Sequence, residues 1–269
     1  MGTSLGVYFS NKGLAVKGYY DVCEAKAQKA AERTNVRCYT KLQAILADHE
    51  VILITVPDDL IAEVWDQCRC FPMKGKCVFH CSGALGSDVF EGHAEAGVSV
   101  GSMHPVCAVS TSDSAEVFSG KFFVLEGDQT GLEMLKSLMM ATGNGYKVIP
   151  TGQKMKYHAA AAASSNLFCA LADMAESWMR DCGFDAQSAH ELLTPLMLGN
   201  MANVAEHGAV AALTGPVERG DAGTVAKHLA VLEGDDREIY RLLSLRLVAI
   251  AQQKHPDKDY TNLLNVLMK

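Results

Sequence analysis

The sequence predicts an α/β chain: a mostly parallel sheet covered by helices on both faces, followed by a second domain made only of helices. Two observations predict it. From Leu14 to about Pro150, short apolar runs alternate with helical stretches, the spacing of strands joined by helical crossovers. After Pro150, Val, Ile and Thr thin out while Ala, Leu and Met recur every three or four residues, which is the period of a helix face. The expected domains are therefore residues 1–150 and 151–269.

The opening stretch, MGTSLGVYFSNKGLAVKGYYD, matches the second half of a βαβ unit. Gly2 starts a short helix, LAVKGYY is a strand, and Asp21 closes it. The later runs VRCY, VILITV, KCVFHC, VSVGSM, FFVLE and YKVIP are strands, with CEAKAQKAAERT and KLQAILADH as helices between the first of them. They are apolar nearly throughout, as strands buried on both faces are. This is a Rossmann-like domain lacking its usual first strand. Beyond it, KMKYHAAAAASSNLFCALADMAESWMRDCG is one helical stretch ending at Gly183. Further helices fit Ala186 to His207, Asp221 to Leu232 and Asp235 to Gln253, with a short one after Pro256. The alanines from Ala159 to Ala163 permit close helix packing, within the domain or between subunits.

Composition narrows the function. With 49% hydrophobic and 20% charged residues over 269 positions, the chain can fill a large core. A formal charge of −7 with no basic stripe argues against nucleic acid, and no apolar run reaches the ~20 residues of a membrane span. The nine cysteines have no framework spacing and read as reduced thiols of a cytoplasmic protein without a signal peptide. Cys68 and Cys70 lack partners at zinc spacing, so no metal is expected.

A dinucleotide fingerprint is a strand, G-x-G-x-x-G, a helix, and an acidic residue about 20 positions on. Gly2 stands where the third glycine packs the helix on the sheet, and Asp21 lies 19 residues later. A carboxylate there binds ribose hydroxyls and repels a 2′-phosphate, which favours NAD over NADP; a plain cap of the next helix is the alternative. The first strand and the G-x-G turn are missing. Either the true start lies upstream, or the protein has lost or altered dinucleotide binding. On the cofactor side, Val56, Pro57 and Asp58 follow the strand VILIT at the carboxyl edge, where such sheets bind ligands. Asp58 or Asp59 can equally cap the helix after it.

Two polar motifs at neighbouring strand ends carry the chemistry. Ser82 follows KCVF and His104 follows VSV. A histidine can take the proton of a substrate hydroxyl as hydride leaves the same carbon, and a nearby serine can fix its tautomer. Lys154, His158 and Asn166, spaced by four and eight, share a face of the first helix of the second domain. That face can supply a cation for a substrate carboxylate or a proton donor; a solvated polar edge is the plainer reading. Arg219, after a Gly-Pro break, pairs with Glu218 or a neighbouring carboxylate more readily than with a ligand, and Asp221 caps the next helix.

The succession ITVPDD, HCSGAL, GSMHP, FSGKFFVLEGD, KMKYHAAAAASSN and LTGPVERGDAGTVAKHL resembles a bacterial family pairing a Rossmann-like domain with a helical C-terminal domain of unknown function. Its members are described as NAD(P)-dependent oxidoreductases of the pyrroline-carboxylate reductase and β-hydroxyacid dehydrogenase superfamily. The likeness spans the chain from Gly2 and implies NAD or NADP as cofactor and a homodimer formed through the helical domain. Ser82 and His104 also resemble the serine and the histidine of prephenate dehydrogenases, but VCAV follows Pro105 where those have a glycine-containing turn. Lys154 and His158 hold places comparable to the lysine and asparagine of hydroxyacid dehydrogenases, a partial match.

The reading is hydride transfer to or from a small, carboxylate-bearing substrate, with His104 as acid/base, Ser82 as its partner, and Lys154, His158 and Asn166 as the substrate face. The alternative is a non-catalytic dimeric binding or regulatory protein that has lost or weakened its nucleotide site. A reductase for a cyclic imine is a third reading, by superfamily analogy.

Overall fold

A computed structural model describes residues 1–107 and 115–269; Ala108 and Val109 of the VCAV stretch lie outside the described residues. The chain divides into two compact units, Met1–Ser165 and Asn166–Lys269, so the first helix after Pro150 is grouped with the sheet.

Each apolar run of the first unit forms a strand: β1 (Gly18–Tyr20), β2 (Arg37–Tyr39), β3 (Val51–Ile54), β4 (Cys77–His80), β5 (Ser99–Pro105), β6 (Phe123–Gly127) and β7 (Tyr146–Val148). The helices are α1 (Gly2–Asn11), α2 (Glu24–Thr34), α3 (Leu42–Asp48), α4 (Ile61–Cys68), α5 (Gln129–Thr142) and α6 (Lys154–Ser164). β1 and β2 make a parallel pair, and β3 to β7 make a five-stranded sheet in chain order. All its neighbours run parallel except β5 and β6. Among the described residues no strand pairing joins the two sheets. α1 lies against both instead: a Cβ on Gly2 would strike the Thr55 hydroxyl, and one on Gly6 the hydroxyl of Tyr19. Only glycine lets the helix sit that close.

Adjacent residues of β4 enter opposite core layers, as the pleat requires. Phe79 packs with Leu5, Tyr8, Met103, Phe123, Leu125 and Leu135. Val78 packs with Leu46, Ile54, Ile61, Trp65 and Val100. Burying each such side chain contributes roughly 1.5–3 kcal/mol, which makes β4 and β5 the firm centre of the unit.

The single helix expected up to Gly183 is two. α6 ends at Ser164, Ser165 leaves helical geometry (φ −131°, ψ −75°), and α7 (Asn166–Asp181) begins next. Ser164 Oγ and Ser165 Oγ both donate to the Ala161 carbonyl, at 3.0 and 2.8 Å, competing with the backbone for that acceptor.

The second unit contains α7, α8 (Ala186–Ala212), α9 (Ala222–Val231), α10 (Gly234–Lys254) and α11 (Thr261–Leu267). Asp185 and Asp221 cap α8 and α9 by accepting Ser188 and Thr224 N–H groups, each at 2.9 Å. Gly208, at φ 80°, interrupts α8 one residue past the end expected at His207. Val225, Leu229, Val248, Tyr260, Leu263 and Leu267 form the core of this unit. No helix of the described residues is long and apolar enough to cross a membrane.

Candidate active site

β5 outruns its neighbour. β4 pairs with it only from Cys77↔Ser99 to His80↔Ser102, whereas β6 pairs with it as far as His104↔Val124 and Pro105↔Phe123. His104 therefore stands on an overhang past the carboxyl end of β4, braced from behind by β6. The loop after β4 lies in front of it and is fixed by His80, which is fully buried. The His80 ring accepts the Ser82 N–H at Nδ1 (3.1 Å) and donates from Nε2 to the Gly86 carbonyl (3.1 Å). One nitrogen accepts and the other donates, so this ring is neutral, and burial pushes its pKa down in the same sense.

Every polar atom of Ser82 is committed to its neighbours. Its hydroxyl donates to Asp58 Oδ2 at 2.6 Å and accepts from the N–H groups of Ala84 and Leu85, at 3.1 and 2.9 Å. Its carbonyl accepts from Lys154 Nζ at 2.8 Å. The serine thus joins Asp58, beyond β3, to Lys154 on α6.

Lys154 is 2% exposed and has no ion-pair partner among the described residues. Burial pulls its pKa down to about 8, against the opposing fields of Glu126, Cys81 and Asp58. One turn on, the Tyr157 hydroxyl shares a 2.7 Å hydrogen bond with His104 Nδ1, and Lys154 Nζ stands 5.7 Å from the Tyr157 ring centre. Burial, then Lys154, then His158 hold the His104 pKa down to about 4. The His104 and His158 rings meet edge to face with centres 6.2 Å apart. Gly83 makes room for both: a Cβ there would lie 2.6 Å from His158 Cδ2 and 2.9 Å from His104 Nε2.

The structure brings Asp58, Ser82, His104, Lys154 and His158 together and alters two of the expected relations. Ser82 is bonded to Asp58 rather than to His104, because its only hydroxyl proton goes to the carboxylate; Tyr157 is the partner of His104. Asn166 does not share the face of Lys154 and His158, because the helix breaks at Ser165 and Asn166 opens α7 in the second unit. Asp58 makes no side-chain cap at the turn after Pro57. Val56 and Pro57 stand at the carboxyl end of β3, Gly2 packs against Thr55, and Asp21 Oδ1 accepts the Cys23 N–H at 2.8 Å. Glu218 pairs with His255 at 2.6 Å rather than with Arg219.

Two residues escaped the sequence reading. Tyr157 lies three positions after Lys154 in KMKYH, a spacing that places both on one side of a helix. Glu126 is the lone acidic residue ending the apolar strand FFVLE. It is wholly buried and accepts from Ser87 N, Ser87 Oγ, Thr151 Oγ1 and Ser102 Oγ at 2.7, 2.7, 3.2 and 3.4 Å.

Residues 1–105 match the Rossmann-like domain family, and residues 121–247 match the domain of unknown function DUF2520. Among solved structures, protein TM1727 from Thermotoga maritima is 26% identical, with 93% of this chain and 96% of that one covered and a TM-score of 0.76. A reductive aminase from Aspergillus terreus, in complex with NADPH and ethyl-5-oxohexanoate, is 15% identical, with coverage of 98% and 95% and a TM-score of 0.66. An imine reductase from Myxococcus stipitatus, in complex with NADP+, is 16% identical, with coverage of 100% and 96% and a TM-score of 0.62. No curated protein matches the sequence.

Proposed function

The chain joins a Rossmann-like domain to a DUF2520 domain, and on that footing we propose that it is a cytoplasmic NAD(P)-dependent oxidoreductase acting on a small, carboxylate-bearing substrate. The observation that carries this reading is the cluster at the carboxyl edge of the sheet: a neutral His104 bonded to Tyr157, with a buried cation beside them, Lys154, that has no ion-pair partner among the described residues.

The residues present fit a dinucleotide. α1 has no side-chain cap at its N-terminus, which leaves first-turn N–H groups for a pyrophosphate. Gly2 keeps that helix end close to β3. Asp21 spends one carboxylate oxygen on Cys23, and the other is available to a ribose hydroxyl, the feature that favours NAD. Val56 and Pro57 at the carboxyl end of β3 would line a bound nicotinamide, which would supply or take the hydride.

The protein's own groups handle the proton and the substrate. His104, neutral at physiological pH, takes the substrate proton in the oxidative direction and returns it in the reductive direction, while the Tyr157 hydroxyl fixes the ring through Nδ1. Lys154 attracts the substrate carboxylate, an interaction strengthened by the dry surroundings. His158 closes the same face, and Ser82 positions Lys154 and Asp58.

The test is a titration with NADH and NADPH, followed by quenching of nucleotide fluorescence and by thermal stabilisation. Binding is expected, and the variants His104→Gln and Tyr157→Phe should keep it while losing about 10²–10⁴-fold in turnover; no response to either nucleotide would sink the proposal. The absence of strand pairing between the two sheets among the described residues favours a second reading, a dimeric binding protein without catalysis. That reading predicts nucleotide affinity equal in wild type and both variants, with no oxidation or reduction of small hydroxy- or oxo-acids by any of them.

A further inference from the structure

We propose that Glu126 is the positioning residue of this site: its carboxylate fastens the loop after β4, strand β5 and the turn before α6 at one buried point, and supplies the negative charge that keeps Lys154 an ammonium. The inference rests on the reading above only in calling the cluster an active site; the geometry stands without it.

Three segments converge on Glu126. Ser87 binds it twice from the loop after β4, by N–H and by Oγ, both at 2.7 Å. Ser102 reaches it from β5, at 3.4 Å. Thr151 reaches it at 3.2 Å from the turn three residues before Lys154. All four contacts are donors, the set that an ionised carboxylate accepts. The same loop carries Ser82, whose carbonyl holds Lys154 Nζ. Glu126 therefore controls both ends of that contact, the acceptor through Ser87 and the helix bearing the donor through Thr151.

A buried ammonium without a close carboxylate needs a field from elsewhere, because desolvation disfavours the charged form. The groups acting on Lys154 come from each packed element. Asp58 after β3, Cys81 after β4 and Glu126 on β6 favour its charge, with Glu126 foremost. His104 on β5 is neutral, and the Tyr157 ring lies 5.7 Å away on α6 itself. The Cys81 thiol is pushed up to about 12 by burial, so its proton stays on. Of the two carboxylates that remain, Asp58 is bonded to Ser82 and Glu126 acts on Lys154 the more strongly.

The experiment is an NMR titration of lysine side chains labelled with ¹³C at Cε, the Lys154 signal being identified by its loss in Lys154→Met. In a folded Glu126→Gln protein, the Lys154 midpoint should fall by about one pH unit or more, while Glu126→Asp should restore most of the shift. A purely structural role would leave the Lys154 midpoint unmoved in proteins whose circular dichroism and melting stay intact. An unmoved Lys154 midpoint in folded Glu126→Gln overturns the proposal. Should that variant not fold, Ser87→Ala, which removes one of the donors that hold Glu126, is titrated instead, and an unmoved Lys154 midpoint there overturns it. No nucleotide or substrate enters the measurement, so a failure here and a failure of the hydride-transfer reading are separate results.

Discussion

His104 is held neutral by burial and by two neighbours that resist a further positive charge, Lys154 and His158. Its folded pKa, about 4, lies below the unfolded value near 6.5. Between those values the unfolded chain binds the more protons, so this group stabilises the fold above about pH 6.5 and its contribution is lost as pH falls toward 4. The slope is at most about 1.4 kcal/mol per pH unit. Urea unfolding of wild type and His104→Gln at pH 7, 6, 5 and 4 measures it; the variant should lose stability less steeply over that window. A parallel decline in both proteins would contradict the burial assigned to the ring. The sequence marked out His104, Ser82 and Lys154 because strand ends and a domain-opening helix are readable from spacing. It did not disclose that Ser82 serves Asp58, nor that Tyr157 serves His104, since partner choice depends on rotamers that spacing leaves open. Glu126 was hidden for a related reason: one acidic residue in an apolar run reads as a strand end until its four donors are seen.

At the scale of the elements, the loop after β4 is the tightest part of the site. Gly83 separates that loop from two imidazoles with no room for a methyl group. Gly83→Ala should push His104 and His158 apart, at about 1–3 kcal/mol in stability, and should reduce turnover more than nucleotide binding. Thermal melts with nucleotide titrations check this, and unchanged turnover in a folded variant would remove the loop from the site. All seven strands of the described residues were legible because apolar runs bounded by turn residues have few other uses, although LAVKGYY is a strand only from Gly18 and VILITV only to Ile54. The helix break at Ser165 was not, because Lys154 to Asp181 keeps a helical period on both sides of it. Two serine hydroxyls choosing the same carbonyl decide that break, a local competition that periodicity does not register.

For the whole molecule, the second unit leaves a large apolar surface uncovered. α7 buries none of its 16 residues fully, and α8 presents Leu192, Leu196 and Leu198 at 54%, 69% and 63% exposure. An open groove of about 530 Å³ runs between these helices, lined by Phe168, Ala172, Met197 and Met201. Large apolar side chains exposed together on neighbouring helices mark an interface, and the proposed occupant is a second copy of this chain. Light scattering should then give twice the 28.9 kDa of one chain, and Leu196→Glu with Met201→Glu should give 28.9 kDa; a monomeric wild type would refute the dimer. The Ala- and Leu-rich pattern foretold the helices but not which faces stay bare, because burial is a property of the assembled fold. Lys154, finally, bears on how such a protein can be improved. Its folded pKa of about 8 against an ordinary 10.5 means that at pH 7 the fold holds this charge at a cost in stability, and replacing two coupled buried charges together by apolar side chains commonly returns about 1–4 kcal/mol. A search for heat-resistant variants would therefore favour descendants that discard Lys154 and Glu126 together, and thermal endurance would be a misleading guide to which of them still work.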